Sequence, residues 1–479
     1  MKGRRPVSEP GGHLSGSGPF PRLRPEARCC ERGVGCPSCQ GLPGWRTLRA
    51  TPMSPTLRKL LLATLSTAVG LAVAYGILQS RSEPETVALV DNSEELSRLL
   101  EERQGGAVEQ PGGPEGSEPP AEPTTAAGEA GPAAPSAEEE ALLAVLSPDA
   151  PLVREPLDQA VAAKLYPSLQ DGKGGRIFYD PDSYFWEQSG LRRRLKFEEH
   201  PDRVWFIPTN DLGFRKAVPV LEQQPDLRIL VSGDSHTAGV VPTEEAFMHL
   251  LEARLASERS GEVVEALNAG KGGYAFYNYL GVLEKFLDLD PDVYVVAAFG
   301  GNDFIGSVGT FRYFNRLRPA RQRRPFREKL WRKELDQNVA LVAQGLNQVV
   351  AFAKRPDDIE VAEAAACQVL GRIIEVCEAE GIRFVFVYIP PLLDAQPHLI
   401  QETLDTMTER FLLSPEELGV ADRIADGVLA FLESRSAVAV DMRPAYRASE
   451  VPCYWMRDHH INTEGHRLIA DALEPLLAR

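Results

Sequence analysis

The feature that most constrains the fold is the alternation of short apolar runs with amphipathic stretches in the second half of the chain. The apolar runs are residues 228–233, 262–270, 293–299, 382–389 and 437–440, and helix-like stretches separate them at 244–257 and 276–289 and end the chain at 464–477. Short apolar runs between amphipathic helices are typical of a parallel sheet covered on both faces. We therefore predict an α/β fold with a central parallel sheet.

Clusters of glycine and polar residues follow three of these runs, and a fourth cluster precedes the last helix. They are Gly233-Asp234-Ser235-His236, Asn268 to Tyr274, Gly300-Gly301-Asn302-Asp303, and Asp458 to His466. Each cluster by itself is an ordinary turn or helix cap. In a parallel sheet, however, the carboxyl ends of the strands meet at one edge, where ligands bind. The four clusters together predict a functional site at that edge.

Residues 226–303 and 437–479, with the strand at 382–389 between them, resemble the SGNH (GDSL-type) hydrolases. The whole chain looks like a membrane-anchored member of that family. The resemblance does not extend to residues 1–175. It implies a flavodoxin-like three-layer α/β/α fold and ester hydrolysis through a serine acyl-enzyme. Matched position by position, Ser235 is the nucleophile, Gly273 and Asn302 are oxyanion donors, and His460 is the general base.

One position departs from the commoner family pattern, which is Asp-x-x-His. Arg457 stands three residues before His460, and the nearest acid is Asp458, which gives Asp-x-His. We expect Asp458 to be the triad acid. A Ser–His dyad without an acid and a base at His459 remain open alternatives.

The chemistry of these side chains agrees with the resemblance. A serine hydroxyl is a weak nucleophile until an imidazole takes its proton, and the imidazole needs an orienting carboxylate. The backbone N–H groups of Ser235 and Gly273 and the amide of Asn302 are suitable oxyanion donors, each typically worth about 3–4 kcal/mol. The chain lacks a G-x-S-x-G elbow, which disfavours an α/β-hydrolase. No cofactor or metal is expected for this chemistry.

A charge-free apolar run extends from Leu60 to Leu78. At 1.5 Å per residue a helix of this run is about 28 Å long, enough to cross a bilayer. Arg58 and Lys59 precede the run and acidic residues follow it. The positive-inside rule therefore predicts that the N-terminus is cytoplasmic and that the catalytic domain is extracytoplasmic. We expect a single-pass signal anchor at 58–79. Cleavage after Ala74 and a buried core helix are the alternatives.

The remaining segments complete the predicted domain organisation. Residues 1–57 form a disordered cytoplasmic tail, unless Met53 is the true start and residues 1–52 are not made. The Cys36–Cys39 pair in this tail lacks a second ligand pair for zinc. Residues 80–149 form a flexible linker rich in Pro, Gly, Glu and Ala. The hydrolase-like domain spans 150–479, with an insert at about 304–360.

The composition narrows the choice of partners. The formal net charge of −16 argues against a nucleic-acid partner, which requires an excess of Lys and Arg. We expect a membrane-anchored, extracytoplasmic serine esterase that acts on an O-acetylated glycan or a lipid. An O-acyltransferase on the same scaffold and an inactive surface binding protein are the alternative interpretations.

Overall fold

The computed structural model describes residues 137–170, 175–324 and 343–478. The predicted tail, the predicted anchor and most of the predicted linker lie outside these residues. Within these ranges, no helix has the length and apolar character that a membrane crossing requires.

The described chain alternates strands and helices. The strands are β1 Ile177–Asp180, β2 Tyr184–Glu187, β3 Arg192–Lys196, β4 Val204–Pro208, β5 Leu227–Gly233, β6 Val264–Asn268, β7 Val293–Phe299, β8 Arg383–Ile389 and β9 Val438–Asp441. The helices are Ala137–Leu146, Gln159–Leu165, Pro167–Gln170, Ser235–Ala238, Phe247–Glu258, Phe276–Lys285, Asp303–Phe314, Ala343–Lys354, Asp358–Glu380, Leu392–Ala395, Gln401–Phe411, Pro415–Leu418, Val420–Ser434, Arg443–Ala448 and Thr463–Leu477.

A five-stranded parallel sheet forms the centre of the domain. Its order is β6-β5-β7-β8-β9, which is the 2-1-3-4-5 order of a flavodoxin-like doubly wound sheet. β5 pairs with β6 on one side and with β7 on the other, both in parallel register. The predicted α/β fold with a central parallel sheet is confirmed. Each predicted strand is present; β7 has the predicted ends, and the ends of the other four differ by one or two residues.

Helices cover both faces of this sheet. The helix Asp358–Glu380 packs against Phe276–Lys285, Asp303–Phe314 and Val420–Ser434, whereas Phe247–Glu258 packs against Thr463–Leu477. The chain crosses the sheet in one direction from β5 to β6 and in the opposite direction from β6 onward. Because each crossover is right-handed, this reversal places the two groups of helices on opposite faces of the sheet. Every residue of β5 and β7 is buried between them, which explains why both strands read as continuous apolar runs.

The predicted insert at about 304–360 begins with a helix that belongs to the packed core. The helix Asp303–Phe314 buries Phe304, Phe311 and Phe314. Residues 325–342 of the insert lie outside the described residues. The helix Ala343–Lys354 then returns the chain to the edge of the sheet.

Two antiparallel hairpins, β1–β2 and β3–β4, precede the sheet. The turn of the first hairpin sits directly on the helix Phe276–Lys285, where the Asn278 side chain donates to the carbonyl of Ser183 at 2.8 Å. The close approach requires a glycine, because a Cβ on Gly281 would lie 2.1 Å from the carbonyl oxygen of Asp182. Gly281 therefore sets the distance between hairpin and helix.

This contact predicts opposite effects for two helical glycines. Gly281→Ala is expected to lower the free energy of unfolding by about 1–3 kcal/mol, because the added methyl collides with backbone. Gly309→Ala, where no atom lies within 4 Å of the added Cβ, is expected to raise it by about 0.5–1 kcal/mol. Urea denaturation measures both. Equal effects of the two substitutions would contradict the proposed packing.

Candidate active site

Ser235 lies at the carboxyl end of β5, at the start of the four-residue helix Ser235–Ala238. Asp234 caps this helix by accepting the backbone N–H of His236 at 2.8 Å. The turn is tight, since a Cβ on Gly233 would lie 2.6 Å from the carbonyl oxygen of Ala297 on β7. Ser235 is held at 7% exposure at the sheet edge that the sequence predicts.

A buried arginine holds the loop that follows this helix. The guanidinium of Arg215 donates to the carbonyl oxygens of Ala238, Gly239 at 2.9 Å and Val241 at 2.5 Å. Burial lowers the pKa of Arg215 to about 9. Sequence reasoning assigned Arg215 no role, because nothing in its local sequence shows that it binds carbonyls more than twenty residues away.

His460 is oriented by Asp458. The Nδ1 of His460 lies 2.5 Å from Oδ1 of Asp458, and the backbone N–H of His460 donates to the same oxygen at 2.9 Å. Burial acts to raise the pKa of Asp458, but the charge and hydrogen bonds of His460 outweigh it and hold the pKa well below its usual value. Nδ1 of His459 is 3.9 Å from the carboxylate. The geometry thus favours His460 over His459 as the oriented imidazole.

His236 links the serine to the histidine loop. Its ring stacks on Phe299 with 3.5 Å between centroids, and its centroid is 5.0 Å from that of His460. Its Nδ1 accepts the backbone N–H of Ile461 at 3.3 Å. Burial, followed by the charge of His460, lowers the pKa of His236 well below its usual value, so this imidazole is neutral. Its position directly after Ser235 was the only signal of this role in the sequence.

The candidate oxyanion donors come from the ends of β6 and β7. Gly273 has a φ of +83°, which favours glycine, and a Cβ there would lie 2.5 Å from Oγ of Ser168. The side chain of Asn302, the residue before the helix Asp303–Phe314, hydrogen-bonds to the carboxylate of Asp234. An amide nitrogen has two N–H groups, so one remains for a ligand at Ser235.

A side-chain amide also ties β6 to the serine helix. Asn268 donates from Nδ2 to the carbonyl of Thr237 at 2.9 Å and accepts the backbone N–H of Gly270 at 2.9 Å. The loop that carries Gly273 is thereby fixed against the helix that carries Ser235. Asn268 was included in the predicted cluster, but its positioning role depends on this tertiary contact.

Two buried carboxylates lie beneath the site. Burial raises the pKa of Asp234 to about 6. Burial, together with the charge of Asp234, raises the pKa of Asp303 well above its usual range. Oδ2 of Asp303 accepts the Tyr279 hydroxyl at 2.5 Å and the backbone N–H of Phe299 at 2.8 Å. These bonds join the end of β7 to the helix that follows it and so position Asn302 between them.

Among the residues that the structure describes, two groups of side chains bring potential metal-ligand atoms together. They are Asp458, His459 and His460, and separately His200, Asp202 and Glu245. In the second group, Nε2 of His200 contacts Glu245 at 3.0 Å and its Nδ1 accepts the backbone N–H of Asp202 at 3.1 Å. Both ring nitrogens of His200 are therefore engaged. In the first group, Nδ1 of His460 is bonded to Asp458.

A cavity of about 480 Å³ lies away from Ser235 and contains none of the candidate residues. Its walls include Arg154, Glu284 and Gln368. Arg154 is bonded to Glu284 and Tyr184 in this cavity. The charged groups in the wall of this cavity therefore bind each other. The candidate catalytic residues lie at the carboxyl edge of the sheet instead.

Comparison with known proteins finds one family model that matches part of the chain. Residues 231–468 match the model of the GDSL-like Lipase/Acylhydrolase family. The matched segment contains Ser235, Gly273, Asn302, Asp458 and His460. No curated protein matches the chain.

Several solved structures are similar to the domain. The acetyl xylan esterase AlAXEase is 17% identical, with 52% of this chain and 100% of that chain covered and a TM-score of 0.33. A GDSL-like lipase from Bacteroides thetaiotaomicron is 13% identical, with 53% and 90% covered and a TM-score of 0.29. A mutant of Axe2, an acetylxylan esterase from Geobacillus stearothermophilus, is 13% identical, with 53% and 94% covered and a TM-score of 0.30. At these identities and TM-scores, the similarity gives no information about the substrate of this chain.

The Asp458–His460 contact predicts the effect of removing the carboxylate charge. Asp458→Asn is expected to lower kcat for p-nitrophenyl acetate by about 10³–10⁴-fold, because the imidazole loses the partner that fixes its tautomer. Steady-state kinetics measure the loss, and circular dichroism checks the fold. Arg457→Gln, at the exposed neighbouring position, is the control and should retain activity. Full activity in Asp458→Asn would favour the Ser–His dyad.

Proposed function

We propose that this chain, an ester-hydrolysing enzyme whose residues 231–468 match the GDSL-like Lipase/Acylhydrolase family model, cleaves an acylated glycan or lipid through an acyl-enzyme on Ser235. The observation that carries this proposal is the 2.5 Å contact between His460 and Asp458, on a loop that packs against the residue after Ser235. Nucleophilic acyl transfer requires an oriented imidazole near a serine, and the ring centroid of His460 lies 5.0 Å from that of His236, the residue after Ser235.

In the proposed first step, Nε2 of His460 takes the proton of the Ser235 hydroxyl. Oγ then bonds to the carbonyl carbon of the ester, and the electron pair of the C=O bond moves to oxygen. The N–H groups of Ser235, Gly273 and Asn302 stabilise this oxyanion, at about 3–4 kcal/mol for a typical donor. As the oxyanion collapses, the ester C–O bond breaks, and His460 returns its proton to the departing alcohol.

The acyl-enzyme is then released by a second nucleophile. In hydrolysis, His460 takes a proton from water, whose oxygen attacks the acyl carbonyl; collapse frees Ser235 and a carboxylic acid. In the alternative function, an O-acyltransferase, a sugar hydroxyl replaces water, and the product is a new ester. Both reactions use the same residues, so the acceptor alone separates them.

The test is covalent labelling of the full chain with a fluorophosphonate probe. Wild type is expected to be labelled and to hydrolyse p-nitrophenyl acetate, while Ser235→Ala should lose both because it lacks the attacking oxygen. Ser232→Ala is the matched control, since Ser232 is a fully buried serine on the same strand, β5.

Folded wild type that neither reacts with the probe nor hydrolyses any ester would refute the proposal and favour a binding protein. Mass spectrometry of the products, with a free oligosaccharide present, separates the acceptors. Release of acetate indicates hydrolysis, and an acetylated oligosaccharide indicates transfer.

We also propose that residues 58–79 anchor the enzyme in a membrane with the catalytic domain on the extracytoplasmic side. Support comes from the uncharged run Leu60–Leu78 and the basic residues before it. The full chain is expected to stay in the membrane pellet after a carbonate wash and to be accessible to external protease. A variant lacking residues 58–79 should be absent from that pellet. A mature chain that begins at residue 75 would instead indicate cleavage and release.

A further inference from the structure

The turn between β3 and β4 contacts the loop that carries the candidate triad acid. This turn comprises residues 197–203, which precede the segment that matches the family model. The carboxylate of Glu199 accepts the backbone N–H of Met456 on Oε2 and the backbone N–H of Arg457 on Oε1, both at 2.7 Å. These two donors directly precede Asp458. A side chain outside the matched segment therefore binds the backbone next to the triad acid.

The loop that holds the triad acid contains little regular structure of its own. An isolated antiparallel bridge between Tyr454 and Ile461 closes it, and inside it the backbone N–H of Trp455 donates to the carbonyl of His460 at 3.1 Å. The backbone N–H of Asp458 lies 3.4 Å from the carbonyl oxygen of Trp455, which is long for a hydrogen bond. The residues between Trp455 and Asp458 therefore depend on contacts from outside the loop.

The indole of Trp455 provides a second contact between the turn and this loop. Its ring packs against those of Phe197 and His200, with centroid distances of 5.1 Å and 5.9 Å. Its Nε1 donates at 3.2 Å to the carbonyl of Val240, in the loop that follows the serine helix. The hairpin turn, the loop of the triad acid and the loop after the nucleophile thus meet at one buried indole.

The turn is itself fixed to the body of the domain. The buried His200 contacts Glu245 at 3.0 Å through Nε2 and accepts the backbone N–H of Asp202 on Nδ1 at 3.1 Å. The backbone N–H of Phe197 donates to the carbonyl of Arg203 at 2.8 Å and closes the turn. The carboxylate in the middle of the turn is therefore held in a defined place.

We propose that Glu199 is a positioning residue for the catalytic pair. By holding the backbone N–H groups of Met456 and Arg457, it places the carboxylate of Asp458 where that carboxylate orients His460. The proposal rests on the proposed function, because it takes Asp458 and His460 as members of the triad. It gives the β3–β4 hairpin, which precedes the matched segment, a role in catalysis.

The test is the kcat of Glu199→Gln for p-nitrophenyl acetate, measured on the full chain in detergent. The substitution keeps the size of the side chain but replaces one accepting oxygen with an NH₂ group, which cannot accept the second backbone N–H. We expect kcat to fall about 10–100-fold, because a displacement of about 1 Å can cost about 100-fold. KM is expected to stay near the wild-type value, since the lost bonds act on the base and not on the bound ester.

A double-mutant cycle separates positioning from general stability. In the Asp458→Asn background, Glu199→Gln is expected to have little further effect on kcat, because the carboxylate through which Glu199 acts is already lost. An equal fall in kcat in both backgrounds would show that Glu199 acts elsewhere, and it would overturn the positioning role.

Glu198→Gln is the matched control, because Glu198 is the exposed neighbour, 3.7 Å from Lys196 and 4.0 Å from the Arg457 guanidinium. It should retain the wild-type kcat. The proposal is wrong if Glu199→Gln is as active as wild type, or if Glu198→Gln loses as much activity. A Glu199→Gln chain that circular dichroism shows to be unfolded would also overturn it, since the bonds would then hold the whole fold. Wild type that is inactive toward every ester would instead refute the proposed function, and the positioning role with it.

Discussion

The parallel pairing of β5 with both β6 and β7 is the constraint on which the rest of the site depends. In parallel pairing, all carboxyl ends face the same edge, so Ser235, Gly273 and Asn302 follow three adjacent strands to one place. The approach at this edge is so close that Gly233 has no room for a side chain. The hydrogen-bonded ladder thereby fixes the distances among groups that are far apart in sequence.

The burial of carboxyl groups is the second physical constraint on the site. Asp458 is paired with His460, and its pKa falls, whereas Asp234 and Asp303 lie near each other, and their pKa values rise. Desolvation raises the pKa of all three carboxyls, and only at Asp458 do the charge and hydrogen bonds of His460 outweigh it. An ionised Asp458 is suited to stabilise an imidazolium, while the carboxyls beneath the serine serve as hydrogen-bond acceptors that hold the loops.

The helix Ala343–Lys354 connects the insert to the candidate active site. Gln348 is bonded on both sides of Asn302, so one turn of this helix is a structural clamp. The preceding turn carries Gln344, which is buried near His236. Adjacent turns of one helix therefore meet two parts of the candidate site that are distant from each other in the sequence.

The sequence by itself determined the parallel sheet, the positions of its strands and the four clusters at its edge, because apolar periodicity and turn residues are local properties of the chain. It also singled out Ser235, Gly273, Asn302, Asp458 and His460 as the candidate residues. Only the tertiary structure decided that His460 rather than His459 contacts Asp458, that Arg215 holds the loop after Ser235, and that Gln344 lies beside His236. Those contacts join residues distant along the chain, and their geometry arises from packing of the helices on the sheet, which no local pattern encodes.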